Sequence, residues 1–183
     1  SIFDKEDSLA LVKEAMKLVG LEPKAVEPRR ILGAISRAKG DGLDLTAFSR
    51  QSERGFFAKT VAAVWTHYQR LLADQGGADF DDLLAKTVEL LKKPELRQLY
   101  QHRWRYLHID EYQDTNAVQY ELARLLVGPE RHLCVVGDTD QSIYGWRGAN
   151  FRNLLQFERD YPEATVIILE QNYRSTQNIL AAA

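Results

Sequence analysis

Apolar residues recur at helical spacing over residues 4–19, where Leu9, Val12, Met16 and Val19 share one face, and the pattern stops at Gly20. A glycine there suits the residue just past a helix end, which takes a left-handed backbone. Pro28 is placed to open a second helix, with Ile31, Leu32 and Ile35 inward and Gly40 at its end. Thr46 is a candidate cap for a short third helix. Residues 54–75 carry Phe57, Val61, Val64, Tyr68, Leu71 and Leu72 along one stripe, ended by Gly76-Gly77. Residues 1–77 therefore read as an all-helical unit.

After Gly77 the pattern changes. Helices near 80–92 and 94–103 precede a short apolar strand at 105–109. A helix near 116–127, a strand at 133–137, a helix near 148–158 and a strand at 165–170 follow, with a further helix starting at Ser175. Strands alternating with helices imply parallel pairing in a three-layer α/β sheet, with ligands at the C-terminal ends of the strands. The expected division is 1–77 and 78–183.

Three polar blocks fall at those strand ends. The first, Ile109-Asp110-Glu111-Tyr112-Gln113-Asp114, places an acidic pair just past a strand. Phosphoryl-transfer motors need such a pair: one carboxylate holds Mg²⁺ through its water shell and the other polarises the attacking water. A strand running into a solvated acidic turn would carry the same letters. The second block runs from Val135 through Gly137-Asp138 to Ala149. Its Gln141 amide can both donate and accept, which suits sensing a phosphate oxygen or a water. Its Tyr144, Trp146 and Arg147 offer flat and cationic surfaces for unstacked bases, or else a turn-packing role. The third block, Leu169 to Thr176, follows the apolar run Thr165-Val166-Ile167-Ile168. Arg174 there could meet developing phosphate charge or make an ordinary salt bridge.

Taken together, these blocks resemble the UvrD/Rep/PcrA family of superfamily 1 DNA helicases. They are similar to that family's Walker B box (Asp110-Glu111-Tyr112-Gln113), its third motif (Gly137-Asp138 through Trp146-Arg147-Gly148) and its fourth (Gln171-Asn172-Tyr173-Arg174-Ser175), in the family's order and spacing. Ile31 to Lys39 and Asp79 to Leu84 are also similar to it, so the resemblance covers nearly the whole chain. It implies a partial RecA-like P-loop NTPase sheet with an all-helical accessory insertion. The implied activity is ATP-driven, Mg²⁺-dependent 3′-to-5′ translocation on single-stranded DNA, with strand separation at single-strand/duplex junctions. Asp110 would hold the metal, Glu111 would activate water, and Gln141 would couple the γ-phosphate to the DNA-contacting loop. Tyr173 would stack on adenine, Arg174 would stabilise transition-state charge, and Tyr144, Trp146 and Arg147 would meet the single strand. Repair or replication proteins are the implied partners, in the cytoplasm of a bacterium at the nucleoid.

Composition narrows the picture only slightly. The chain has 183 residues, 45% hydrophobic and 27% charged, which is ordinary for a globular protein. It shows no apolar run of membrane-spanning length, no signal-peptide pattern and no disulfide framework. Cys134, the one cysteine, reads as a small core residue, and the four histidines have no metal-ligand spacing. Residues 1–77 hold 12 Lys/Arg against 10 Asp/Glu, and residues 78–183 hold 12 against 16. Within the first part, residues 29–39 contain Arg29, Arg30, Arg37 and Lys39 without an acid. Arg37 and Lys39, near the helix end, are the candidate duplex-phosphate contacts, with a solvated helix face as the alternative.

One motif is missing. A P-loop needs G-x-x-x-x-G-K-[ST]. The nearest approach, Ala58-Lys59-Thr60, has Glu53 and Ala58 where the glycines belong and lies within a predicted helix. By resemblance, the expected Walker A strand precedes residue 1 and the second motor domain follows residue 183. The isolated chain is accordingly expected to be inactive. A helicase-nuclease subunit of the RecB/AddA kind and a DNA-binding module without catalysis are the competing readings.

Overall fold

Four helices close around one apolar core in the first part of the chain. The computed structural model describes residues 1–51, 55–138, 141 and 152–182. Helix α1 (Lys5–Leu18) starts at Asp4, whose carboxylate accepts the Glu6 and Asp7 amides at 2.8 and 2.9 Å. It buries Leu11, Val12, Ala15 and Met16. Helix α2 (Pro28–Gly40) adds Ile31, Ile35 and Ala38, with Pro28 in its first turn as expected. Helix α3 (Leu45–Gln51) places Phe48 edge-on to Trp65, at 5.4 Å between ring centres. Helix α4 (Phe56–Asp74) contributes Val61, Val64, Trp65, Tyr68 and Leu72. Each large apolar side chain buried here contributes about 1.5–3 kcal/mol relative to an exposed one. This cluster therefore outweighs the short strands as a source of stability.

Glycines end the helices, though not always the expected ones. Gly20 (φ +69°) closes α1, with the Leu21 amide donating to the Met16 carbonyl at 2.9 Å, and Gly76 (φ +58°) closes α4 in the same way. In α2 the left-handed residue is Gly42 (φ +76°), and the Leu43 amide donates to the Ala38 carbonyl at 2.9 Å. Gly40 lies inside the last turn and is buried. Its missing side chain allows close approach: a Cβ there would sit 3.1 Å from Asn116 Nδ2. The α3 cap is Asp44, which accepts the Ala47 amide at 2.7 Å, while Thr46 falls within the helix.

Residues 76–82 return to the start of the chain. Strand β1 (Ile2–Phe3) pairs in parallel with β2 (Ala78–Asp79), Ile2 opposite Ala78, and the Ser1 backbone nitrogen donates to the Gly76 carbonyl at 2.8 Å. Asp79 then caps α5 (Phe80–Leu91), accepting the Asp82 amide at 2.7 Å. Into this turn reaches Lys39, buried, with Nζ 2.6 Å from Asp79 Oδ2 and 2.8 Å from Asp82 Oδ1. Tyr68 donates its hydroxyl to Asp79 Oδ2 at 2.8 Å, and burial raises its pKa far enough to keep it a donor. The expected duplex contact by Lys39 is therefore corrected. The segment 29–39 lacks acids in sequence, but the fold supplies two carboxylates from about forty residues further on. Arg37 lies on the exposed side of the same turn.

Among the described residues, the second part mixes helices with two short strands. It comprises α6 (Pro94–Arg103), β3 (Leu107–Ile109), α7 (Ala117–Leu126), β4 (Leu133–Val135), α8 (Arg152–Asp160) and α9 (Gln177–Leu180). Helices α5 and α7 bury Val88, Leu91, Val118 and Leu125 against one another. Strands β3 and β4 pair in parallel, with Leu107, His108 and Ile109 opposite Leu133, Cys134 and Val135. The fold is mixed α/β with parallel strands, as expected. Burial alternates along each strand, so Cys134 lands on the exposed face and is not the core residue expected of it. The expected strand at 165–170 is also absent. Val166, Ile167, Ile168 and Leu169 are 74–80% exposed, and the segment joins no ladder among the described residues. An apolar run becomes a buried strand only where neighbouring strands take its backbone groups. The last helix starts at Gln177, two residues after Ser175. No helix among the described residues is long and apolar enough to cross a membrane.

Three consequences are measurable by thermal or urea unfolding. A Cβ at Gly77 would lie 2.2 Å from the Phe3 ring. Gly77→Ala should therefore destabilise by about 1–3 kcal/mol through forced repacking. Gly33→Ala, on an open helix surface, should stabilise by about 0.5–1 kcal/mol. Lys39→Met leaves two buried carboxylates without their cation and should cost about 3–5 kcal/mol. A loss below about 1 kcal/mol would show that the ion cluster contributes little to folding.

Candidate active site

Strand β3 ends at Ile109, and the next two residues, Asp110 and Glu111, are exposed. Asp110 folds back so that its Oδ1 accepts the Glu111 amide at 2.8 Å. Glu111 has φ +51° and ψ +42°, a left-handed backbone that costs a residue with a Cβ roughly 1–2 kcal/mol. Gln113 offsets that cost. Fully buried, it donates from Nε2 to Glu111 Oε2 at 2.8 Å and accepts the Asp138 amide on Oε1 at 3.0 Å. One amide side chain thus uses both its functions to join the turn after β3 to the turn after β4.

Gly137 permits this join, because a Cβ there would lie 2.9 Å from Gln113 Oε1. Backbone bonds reinforce it: Val136 donates to the Ile109 carbonyl at 2.8 Å, and Tyr112 donates to the Val136 carbonyl at 2.9 Å. The Tyr112 ring is buried edge-on to Phe157 at 5.8 Å. Burial, helped by Tyr161 and Asp160 nearby, pushes its hydroxyl pKa up to about 12. On the downstream side, Asp114 donates its amide to the Glu111 carbonyl at 2.9 Å and Thr115 Oγ1 donates to the Tyr112 carbonyl at 2.7 Å. Asn116 then caps α7, accepting the Gln119 amide at 2.9 Å. The acidic turn is held from both sides.

Gln141 joins the same network, donating from Nε2 to Asp138 Oδ2 at 2.6 Å. The structure therefore links Asp110, Glu111 and Gln141 through Gln113 and Asp138, two members of the motifs quoted above to which the sequence gives no task of their own. Gly137 immediately before Asp138 was the available signal, since a glycine at a strand end often marks close approach. Tyr173 and Arg174 lie on an exposed segment, where Asn172 Oδ1 accepts the Arg174 and Ser175 amides at 2.9 Å each. Among the described residues, no hydrogen bond or ion pair connects either side chain to Asp110 or Glu111. Tyr144, Trp146 and Arg147 lie outside the described residues.

The chemistry open to this site follows from its donors. A groove of about 840 Å³ lined by Arg97, Gln101, Arg105 and Arg124 lies toward the opposite ends of β3 and β4, and the carboxylates are exposed. Among the described residues, no three His, Cys, Asp or Glu side chains gather to hold a metal ion. One or two exposed carboxylates do fit Mg²⁺, which keeps most of its waters and takes further ligands from substrate phosphates.

Comparison with known proteins agrees with this chemistry. Residues 1–162 match the family model for the UvrD/REP helicase N-terminal domain. The chain is 47% identical over 184 aligned positions to the ATP-dependent DNA helicase PcrA of Staphylococcus aureus, covering 100% of this chain and 25% of that protein. The PcrA of Staphylococcus epidermidis matches with the same identity and coverage. The chain thus spans about a quarter of the length of the curated relatives it matches. With the acidic turn, the Gly137-Asp138 turn and a family match over residues 1–162, the chain belongs to the UvrD/REP helicase family.

Proposed function

We propose that this chain is the later part of a first RecA-like motor domain together with the helical accessory unit 1–77. The whole would be an ATP-dependent helicase that moves 3′ to 5′ on single-stranded DNA and opens duplex at junctions, in repair or replication. The observation that carries this reading is the left-handed Glu111 held by Gln113, because backbone strain maintained by a buried polar clamp is typical of reacting groups. The relatives' printed description, ATP-dependent DNA helicase, supports the substrate class.

Each residue then has a physical task. Mg²⁺, when bound through the waters of Asp110, supplies charge neutralisation for the phosphates of ATP. Glu111 accepts the proton of the attacking water, and Gln113 fixes its direction. Gln141 reports on the γ-phosphate through Asp138, whose amide rests on Gln113. Exposed Tyr173 stacks on adenine, and Arg174 meets transition-state charge. Tyr144, Trp146 and Arg147 hold the single strand, and Arg37 contacts duplex phosphate. Lys39 has no part in binding DNA.

In a full-length helicase containing this segment, Glu111→Gln should lower kcat for ATP about 10²–10⁴-fold, the range for removing a general base. Affinities for ATP and single-stranded DNA should change little. Turnover near that of the unaltered enzyme would remove Glu111 from the role of base. Gln113→Leu should lower kcat about tenfold by releasing Glu111. It should also cost about 1–3 kcal/mol of stability from the unsatisfied Asp138 amide. Steady-state ATPase kinetics and thermal melting read the two effects separately.

A further inference from the structure

The last turn of α2 touches two things at once. Lys39 is anchored in the carboxylates at the start of α5, and the next residue, Gly40, is packed on Asn116 at the start of α7. Gly42, just beyond, faces Val118 in the first turn of α7, at 3.9 Å from an ideal Cβ. Asn116 is two residues after Asp114 and five after Glu111. The turn between them is closed by the bonds from Asp114 to Glu111 and from Thr115 to Tyr112. The acidic turn therefore has two supports, β3 on one side and the capped end of α7 on the other. The helical unit bears directly on the second.

We infer that Lys39 and Gly40 are positioning residues for the acidic turn: the end of α2, locked to α5 by the buried ion cluster, sets the position of the α7 cap and so the placement of Glu111. This inference rests on the reading of Glu111 as the base for ATP hydrolysis. It names a regulation of that site, in which movement of the helical unit on DNA reaches the carboxylates through the packing of Gly40 on Asn116. The physical basis is the tightness of that contact. At 3.1 Å a methyl group on residue 40 would force Asn116 to shift by a few tenths of an ångström. Asn116 cannot swing away freely, because its side chain accepts the Gln119 amide at 2.9 Å and its own amide donates to Gln119 Oε1 at 3.0 Å. The shift must therefore be taken up by the start of α7 and the turn before it. Close-packed interiors pass on such displacements with little loss.

The test is Gly40→Ala in a full-length helicase containing this segment. A glycine-to-alanine change within a helix is by itself stabilising, so a merely structural position would leave kcat intact. The expected result is a kcat about tenfold lower, since small misplacement of a reacting group is costly. KM for ATP should be nearly unchanged and stimulation by single-stranded DNA reduced. Amide exchange without nucleotide should be faster at residues 112–116 and unaltered in α1 and α4. Adding Asn116→Ser, which keeps a capping hydroxyl and removes the crowding atoms, should restore both kcat and exchange. It should also restore folding if the single variant proves unstable. Wild-type kcat and wild-type exchange in Gly40→Ala would overturn the inference, as would a double variant that rescues neither. The exchange measurement needs no hydrolysis, so it decides the contact even if Glu111→Gln shows the functional reading to be wrong.

Discussion

A buried ammonium must be surrounded by compensating charge, and in this chain that requirement joins regions distant in sequence. Lys39 leaves water for a site between two carboxylates and a tyrosine hydroxyl contributed by the α4 and β2–α5 regions. Taking a charge out of water costs several kcal/mol, and good geometry offsets this only when each partner is in place. The ends of α2 and α4 and the turn at Asp79 are thereby held to one arrangement. The parallel pairing of β1 with β2 and the close fit of Gly77 on Phe3 lie beside that arrangement.

A second constraint of the same kind operates at the acidic turn, with a neutral group. Gln113 has one donor and one acceptor function directed at two different turns, and burial removes water as a competitor for either. An apolar residue could fill the space but could not support a left-handed Glu111. A charged one could serve only one of the two turns, since a cation cannot accept the Asp138 amide and a carboxylate cannot donate to Glu111. Asn116 and Gly40 lie between the two buried polar sites, where the end of α2 meets the start of α7.

Much of this was legible in the sequence where local chemistry decides structure. The helical stripes of α1, α2 and α4, Pro28 at a helix start, Gly20 and Gly76 at helix ends, and the acidic pair after β3 all follow from periodicity and backbone preference. Readings that depended on distant neighbours were less secure. Lys39 looks like a surface cation because its acids lie about forty residues away. Gly40 looks like a terminator because its packing partner is Asn116, in another helix. Cys134 reads as core because period-two burial says which residues share a face but not which face is covered. Gln113 carries no local pattern, since its role exists only when two strand ends are brought side by side.

The run Thr165 to Leu169 bears on how the protein behaves in concentrated solution. Four consecutive large aliphatic residues, 74–80% exposed and without an internal charge or proline, have the composition of segments that stack into intermolecular sheets. Glu163 on one side and Glu170 on the other are the nearest charges that oppose such stacking.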